Sequence, residues 1–194
     1  MSKFFIDCGA NIGQSVDKFR KSHMFTDDFR FYCFEPVSYL AKEIKDRKDD
    51  KIEVIEKAVW LFDGEIDFYL NKPEVENHEE GTIFKNEEIE NLETIPTKVQ
   101  CIDFSKWIED TFSMDDYLIL KLDIEGAEYD VIDKMLHEGS IDYINKIFTE
   151  WHFKRLGMEE EIHDVFLNRL KEVKGLRVRP DFGRLHLKKG RGKK

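Results

Sequence analysis

The first β-to-α passage of the chain constrains its fold more than any other stretch. Lys3-Phe-Phe-Ile-Asp7 is a short apolar run of the kind that makes a buried strand, and Cys8-Gly9-Ala10-Asn11-Ile12-Gly13 follows at once. Behind the second glycine, Gln14 to Ser22 carries Val16 and Phe19 on one helical face. Glycines let the backbone reverse sharply after a strand and let a ligand come close over the turn. A strand, a glycine turn and a helix in this order open a parallel, doubly wound sheet.

The next segments continue that rhythm. Phe31 to Phe34 is a second apolar run, closed by Glu35-Pro36, and proline cannot continue a central strand. Val37 to Lys48 reads as a helix and Ile52 to Ile55 as a third strand, so the order is β-α-β-α-β. Glu65 to Leu70 then alternates apolar and polar residues like a half-exposed strand, and residues 71–93 are acidic with little periodicity. A strand resumes at Val99 to Ile102, followed by a helix over Phe104 to Thr111 and a buried strand over Tyr117 to Leu122.

Asp123-Ile-Glu-Gly126 leads into a helix with Ala127, Val131, Ile132, Met135 and Leu136 on one face and Gly139 as its C-terminal stop. Ile144 to Glu150 is a strand and Glu159 to Val173 a helix, and two short runs, Leu176 to Val178 and Arg184 to Leu187, end the fold. The expectation is a single Rossmann-like α/β domain over residues 1–187. It has a mostly parallel doubly wound sheet, an inserted acidic loop or hairpin and an antiparallel C-terminal edge. Residues 188–194 form a basic tail.

Charge narrows the partners. From Lys174 onward there are nine Lys or Arg and one Asp, whereas the preceding residues hold 22 basic and 40 acidic groups. Such an acidic body repels phosphate backbones, so nucleic acid is disfavoured as a partner. Cys8, Cys33 and Cys101 lie in apolar runs without a C-x-x-C pair, which reads as buried free thiols in a reducing compartment. No apolar run is long enough to span a bilayer or to serve as a signal peptide. A cytoplasmic protein is expected, with no membrane span.

Four places carry candidate chemistry. The turn at Gly9 departs from the dinucleotide pattern G-x-G-x-x-G, because its central position is Asn11. Glu35 ends the second strand, where a carboxylate can accept both hydroxyls of a ribose. Leu120 to Glu128 sets three carboxylates and Lys121 at a strand end beside the topological switch point, more charge than packing or helix capping requires. Glu150-Trp151-His152 ends the next strand, and an imidazole there can take a hydroxyl proton.

In this order and spacing the motifs resemble the FkbM family of methyltransferases. The matching stretches are Phe5 to Gly13, Cys33-Phe-Glu-Pro36, Ala58-Val59 followed by Gly64, Leu120 to Glu128, and Glu150-x-His152. The resemblance implies a class I methyltransferase fold with S-adenosylmethionine as cofactor. It also implies methyl transfer to an oxygen of a sugar, glycan or other small molecule. By that resemblance Asp7, Gly9, Asn11, Gly13 and Glu35 bind the cofactor, Ala58 and Val59 lie near its adenine, and Asp123 faces both cofactor and substrate. His152, Asp123 and Glu150 are the candidate proton acceptors.

The first strand begins almost at once. Recognition of the acceptor is therefore expected from the inserted region Leu61 to Ile102, from the C-terminal third, or from a second subunit in a homo-oligomer. A divalent metal has ligand types available in Asp123, Glu125, Glu150 and His152 but no dedicated spacing, and is not favoured. Three competing functions remain. A nicotinamide oxidoreductase is opposed by Asn11. A nucleic-acid amino-methyltransferase is opposed by Asp123-Ile-Glu-Gly126 and the acidic body. A non-catalytic binding module on the same fold is opposed by the intact turn and Glu35.

Overall fold

The computed structural model describes residues 1–70, 81–84, 95–179 and 182. Six strands form one sheet in the order β10-β9-β8-β1-β2-β3: β1 (Lys3–Cys8), β2 (Phe29–Phe34), β3 (Ile52–Ile55), β8 (Tyr117–Leu122), β9 (Ile144–Thr149) and β10 (Arg177–Arg179). Every pairing in it is parallel. Strict alternation decides which helix each strand residue meets. Phe5, Phe31, Cys33, Ile119 and Phe148 pack on one face with Val16 and Phe19 of α1 (Gln14–Arg20) and Ile44 of α2 (Ser38–Asp46).

The opposite face carries Ile6, Cys8, Phe34, Leu118, Leu120, Leu122 and Ile147. These pack on α3 (Phe104–Thr111), α4 (Glu128–Glu138) and α5 (Glu160–Lys171). Both faces are covered, which is why these strands read as near-continuous apolar runs. All three cysteines are free and buried.

The expected elements appear with small shifts at their ends. Two features were not anticipated. Ala58-Val59, given no secondary structure from the sequence, starts a strand, β4 (Ala58–Trp60), and a 3-10 turn over Ser140–Tyr143 follows the Gly139 stop of α4. The inserted region also builds a second sheet together with β4. β4, β5 (Gly64–Leu70), β6 (Gly81–Thr82) and β7 (Thr97–Asp103) form a mixed sheet in the order β4-β7-β5-β6. β6 pairs antiparallel with β5, so the expected hairpin is present at its base.

One expectation is corrected. The C-terminal edge strand β10 runs parallel to β9, not antiparallel. The chain leaves β9, crosses through α5 and returns, and a strand–helix–strand crossover within one sheet brings the second strand back in the same direction. The other run assigned to that edge, Arg184 to Leu187, lies outside the described residues. So do the basic tail 188–194 and, apart from residues 81–84, the acidic stretch 74–93. Among the described residues no helix is long and apolar enough to cross a membrane.

Candidate active site

The carboxyl ends of β1, β2, β8 and β9 open onto a cavity of about 370 Å³. This is the switch point of the sheet, where β1 sends its connection to one side and β8 to the other. Gly9, Asn11, Glu35, Ala58, Val59, Asp123 and Glu150 all line the cavity. The structure thus gathers seven of the sequence-selected residues around one space.

At the β1 end the wall is built by backbone. Gly9 and Gly13 have φ of 75° and 86°, and Asn11 also lies in the left-handed region at 49°. A Cβ on Gly9 would run into the carbonyl of Asp123, so the two strand ends close together only over a glycine. The amide of Asn11 donates to Glu35 Oε2 at 2.8 Å and the amide of Val37 to Oε1 at 2.9 Å. Glu35 is 5% exposed. Burial pushes its carboxyl up to about 7, against the pull of those two amides.

At the β8 end the wall is built by charge. Lys121 is opposite Asp7 in the β1–β8 register. Its ammonium donates to the Gly9 carbonyl at 2.8 Å and sits 3.2 Å from both Asp7 Oδ1 and Asp123 Oδ2. Those carboxylates hold the ammonium above the ordinary lysine range although burial opposes it. Asp7 is fully buried, and burial raises its carboxyl despite Lys121.

Glu128, at the start of α4, is also fully buried. It accepts from the amides of Ile124 at 2.9 Å and Gly126 at 3.0 Å, and His152 Nδ1 is 3.0 Å away. His152 Nε2 faces Glu125 Oε2 at 3.5 Å and Asp123 Oδ1 at 4.0 Å. Arg155 grips the Glu125 carboxylate in turn. Burial lowers the pKa of the imidazole, but Glu128, Asp123 and Glu150 outweigh it and raise the pKa above the ordinary histidine value.

Three selected residues do not reach the cavity wall. Asp7 lies beneath it, 3.2 Å from the Lys121 ammonium, which does line the wall. Gly13 packs beside the Arg47 guanidinium, and His152 stands behind Asp123 and Glu125. Asp123, Glu128 and His152 offer ligand atoms within 4.8 Å of one another. That set shares Asp123 and His152 with the group selected from the sequence and has Glu128 in place of Glu125 and Glu150; Glu128 holds its place through hydrogen bonds and not through motif spacing.

A family model described as the methyltransferase FkbM domain matches residues 7–175. The chain belongs to the FkbM methyltransferase family. An FkbM methyltransferase from Methylobacillus flagellatus KT has a similar fold, with a TM-score of 0.53 at 14% sequence identity. The match covers 89% of this chain and 37% of that one, so the chain spans just over a third of the length of its structural neighbour. No curated protein matches the sequence significantly.

For this FkbM-family chain the comparisons account for the family and the fold, and the geometry adds what the motifs did not name. Phe68, Gly81 and Ile83 bring the inserted sheet onto the cavity, and Phe182 closes it on the α1 side. The Thr82 hydroxyl donates to the Glu125 carbonyl at 2.7 Å, pinning β6 to the turn after β8. Only Lys121 and Glu128 left a readable trace in the sequence. Each is a charge inside or beside an otherwise apolar strand or helix face.

Proposed function

We propose that the chain is an S-adenosylmethionine-dependent O-methyltransferase acting on a hydroxyl of a sugar, glycan or other small molecule. One observation carries this reading: the Gly9 turn and the Glu35 carboxylate share a cavity whose other end is walled by Asp123 and Glu150. The residues suit the cofactor. Gly9 leaves open backbone where a side chain has no room. Glu35, with one backbone amide on each oxygen, keeps lone pairs for a pair of ribose hydroxyls. Ala58 and Val59 supply small apolar wall for a base.

The bound cofactor supplies a methyl group on a sulfonium, already a good electrophile. Most of the work left to the protein is therefore positioning, together with removal of the hydroxyl proton. Asp123 and Glu150 stand at the wall to take that proton, with His152 directly behind Asp123. The carboxylates at this end favour a neutral or cationic acceptor over a phosphorylated one. Phe68 and Ile83, from the inserted sheet, give one side of the acceptor an apolar surface.

Calorimetric titration with S-adenosylmethionine and, separately, NAD tests the reading. The methyl donor is expected to bind to the wild type, Glu35→Ala to weaken it, and NAD not to bind. Binding of NAD in place of the methyl donor overturns it. With the methyl donor bound, a screen of sugars and glycans for methylated product identifies the acceptor.

A further inference from the structure

Glu128 is a carboxylate with no exposed surface, and burying an ion costs several kcal/mol unless its lone pairs are satisfied. Two of its partners have a structural explanation. The amides of Ile124 and Gly126 belong to a tight turn in which Glu125 has φ of 57° and Gly126 of 112°. A carboxylate at the first residue of a helix commonly holds such a turn. The third partner, His152, comes from the segment after β9 and is unnecessary for capping.

A carboxylate accepting from backbone amides accepts from the ring as well, so Nδ1 of His152 is the donor. The ring is thereby fixed, and its other nitrogen is aimed at Asp123 and Glu125, both on the cavity wall. We propose that Glu128 is a positioning residue for methyl transfer, fixing the tautomer and aim of His152 so that Nε2 backs Asp123 as the proton-accepting pair. This rests on the function proposed above.

The step balances. The acceptor oxygen uses a lone pair to form the new O–C bond, the C–S bonding pair stays with sulfur, and the hydroxyl proton goes to Asp123. From there it passes to Nε2 once the side chains close the 4.0 Å between Oδ1 and that nitrogen, and the resulting imidazolium is held by Glu128 until solvent takes the proton.

The charged groups around the ring are Glu128 on α4, Asp123 and Glu125 on the turn, and Glu150 two residues upstream. Lys121 partners Asp123, and Arg155 partners Glu125. Four carboxylates against two cations favour the imidazolium, in keeping with its raised pKa. A divalent cation held by Asp123, Glu128 and His152 fits less well. The Glu128 oxygens already accept from two backbone amides, and the Lys121 ammonium already occupies the neighbourhood of Asp123.

The test is nitrogen NMR of the whole protein labelled at histidine, with His152 assigned by its loss in His152→Gln. Above its titration midpoint the wild-type ring is expected to carry its proton on Nδ1, the minor form of a free imidazole. In Glu128→Gln the midpoint is expected to fall by about one pH unit or more, with S-adenosylmethionine affinity unchanged.

A proton on Nε2 in the wild type overturns the proposal, and that measurement needs only the His152→Gln assignment, not a folded Glu128→Gln. An unmoved midpoint in folded Glu128→Gln also overturns it. Selective broadening of the His152 signals by Mn²⁺ at stoichiometric concentration replaces it with a metal site. If the wild type fails to bind S-adenosylmethionine, the reading of the cavity falls and the catalytic role of the pair falls with it, whatever the tautomer.

Discussion

The two ends of the cavity are made of different materials. The β1–β2 end is backbone: a turn with three left-handed residues, and a carboxylate whose place is fixed by the amides of Asn11 and Val37. The β8–β9 end is a net of side-chain charge, in which Lys121 bridges Asp7 and Asp123, Glu128 holds His152, and Arg155 holds Glu125. The first kind of site tolerates little change of shape. The second tolerates changes of shape but not of charge count, because its buried ions, Asp7, Lys121 and Glu128, depend on their partners being present.

Substitutions separate the two. The largest effect is expected from Gly9→Ala, which must move the β1 turn away from the Asp123 carbonyl while holding a left-handed φ. A loss of about 4 kcal/mol in denaturant unfolding is expected. A loss below about 1 kcal/mol shows that the turn is not rigid and removes the contrast.

Lys121→Met comes next, at about 3 kcal/mol, because it strips compensation from a buried carboxylate. Its signature is in the pH dependence. The Asp7 carboxyl, already raised by burial, rises further when the ammonium is gone. A raised folded-state pKa gives stability that is whole below the ordinary carboxylate value and is lost as pH climbs through the raised one. Melting curves of Lys121→Met are therefore expected to worsen from acid to neutral pH relative to wild type. A pH-independent difference places the cost in packing instead.

Glu35 sharpens the comparison from the ligand side. Glu35→Ala is expected to weaken S-adenosylmethionine about tenfold or more, the worth of hydrogen bonds to a charged acceptor. In the wild type, affinity is expected to fall as pH drops through about 7, where the carboxyl takes up its proton. Glu35→Gln is expected to flatten that profile, and calorimetry at several pH values reads it.

The smallest effect belongs to the inserted sheet. Thr82→Val removes the hydroxyl that donates to the Glu125 carbonyl and is expected to cost about 1 kcal/mol of thermal stability. Thr82→Ser is expected to restore it. Equal losses in both variants assign the residue to packing.

The same contrast explains how much was legible. The Gly9 turn and the Glu35 position could be read because glycine and a strand-ending carboxylate are local signals in fixed order. The parallel sheet followed from runs such as Tyr117 to Leu122, apolar because both faces are covered. The role of Glu128 was hidden, although its charge was visible, since a helix-opening glutamate has an ordinary capping explanation and its His152 partner is 24 residues away. Asp7 read as a ligand residue because it ends a strand, and only the β1–β8 register reveals that it faces Lys121. Ala58-Val59 read as a motif and not as a strand because three residues are too few to show alternation. The parallel β10 was missed because direction depends on the crossover through α5, not on the strand's own residues.

The pairing of β1 with β8 has a consequence for how the chain is made. Gly9 and Lys121, joined by a hydrogen bond at the heart of the site, are separated by 112 residues. During synthesis the first strand emerges long before its central partner, and closing so large a loop comes before any reward from the contact. Phe5 and Ile6 must therefore wait, apolar and half-paired, until more than half of the chain has left the ribosome. Slow, late assembly and a dependence on dilution or chaperones during refolding are the natural counterpart of a switch-point site whose two halves lie so far apart in sequence.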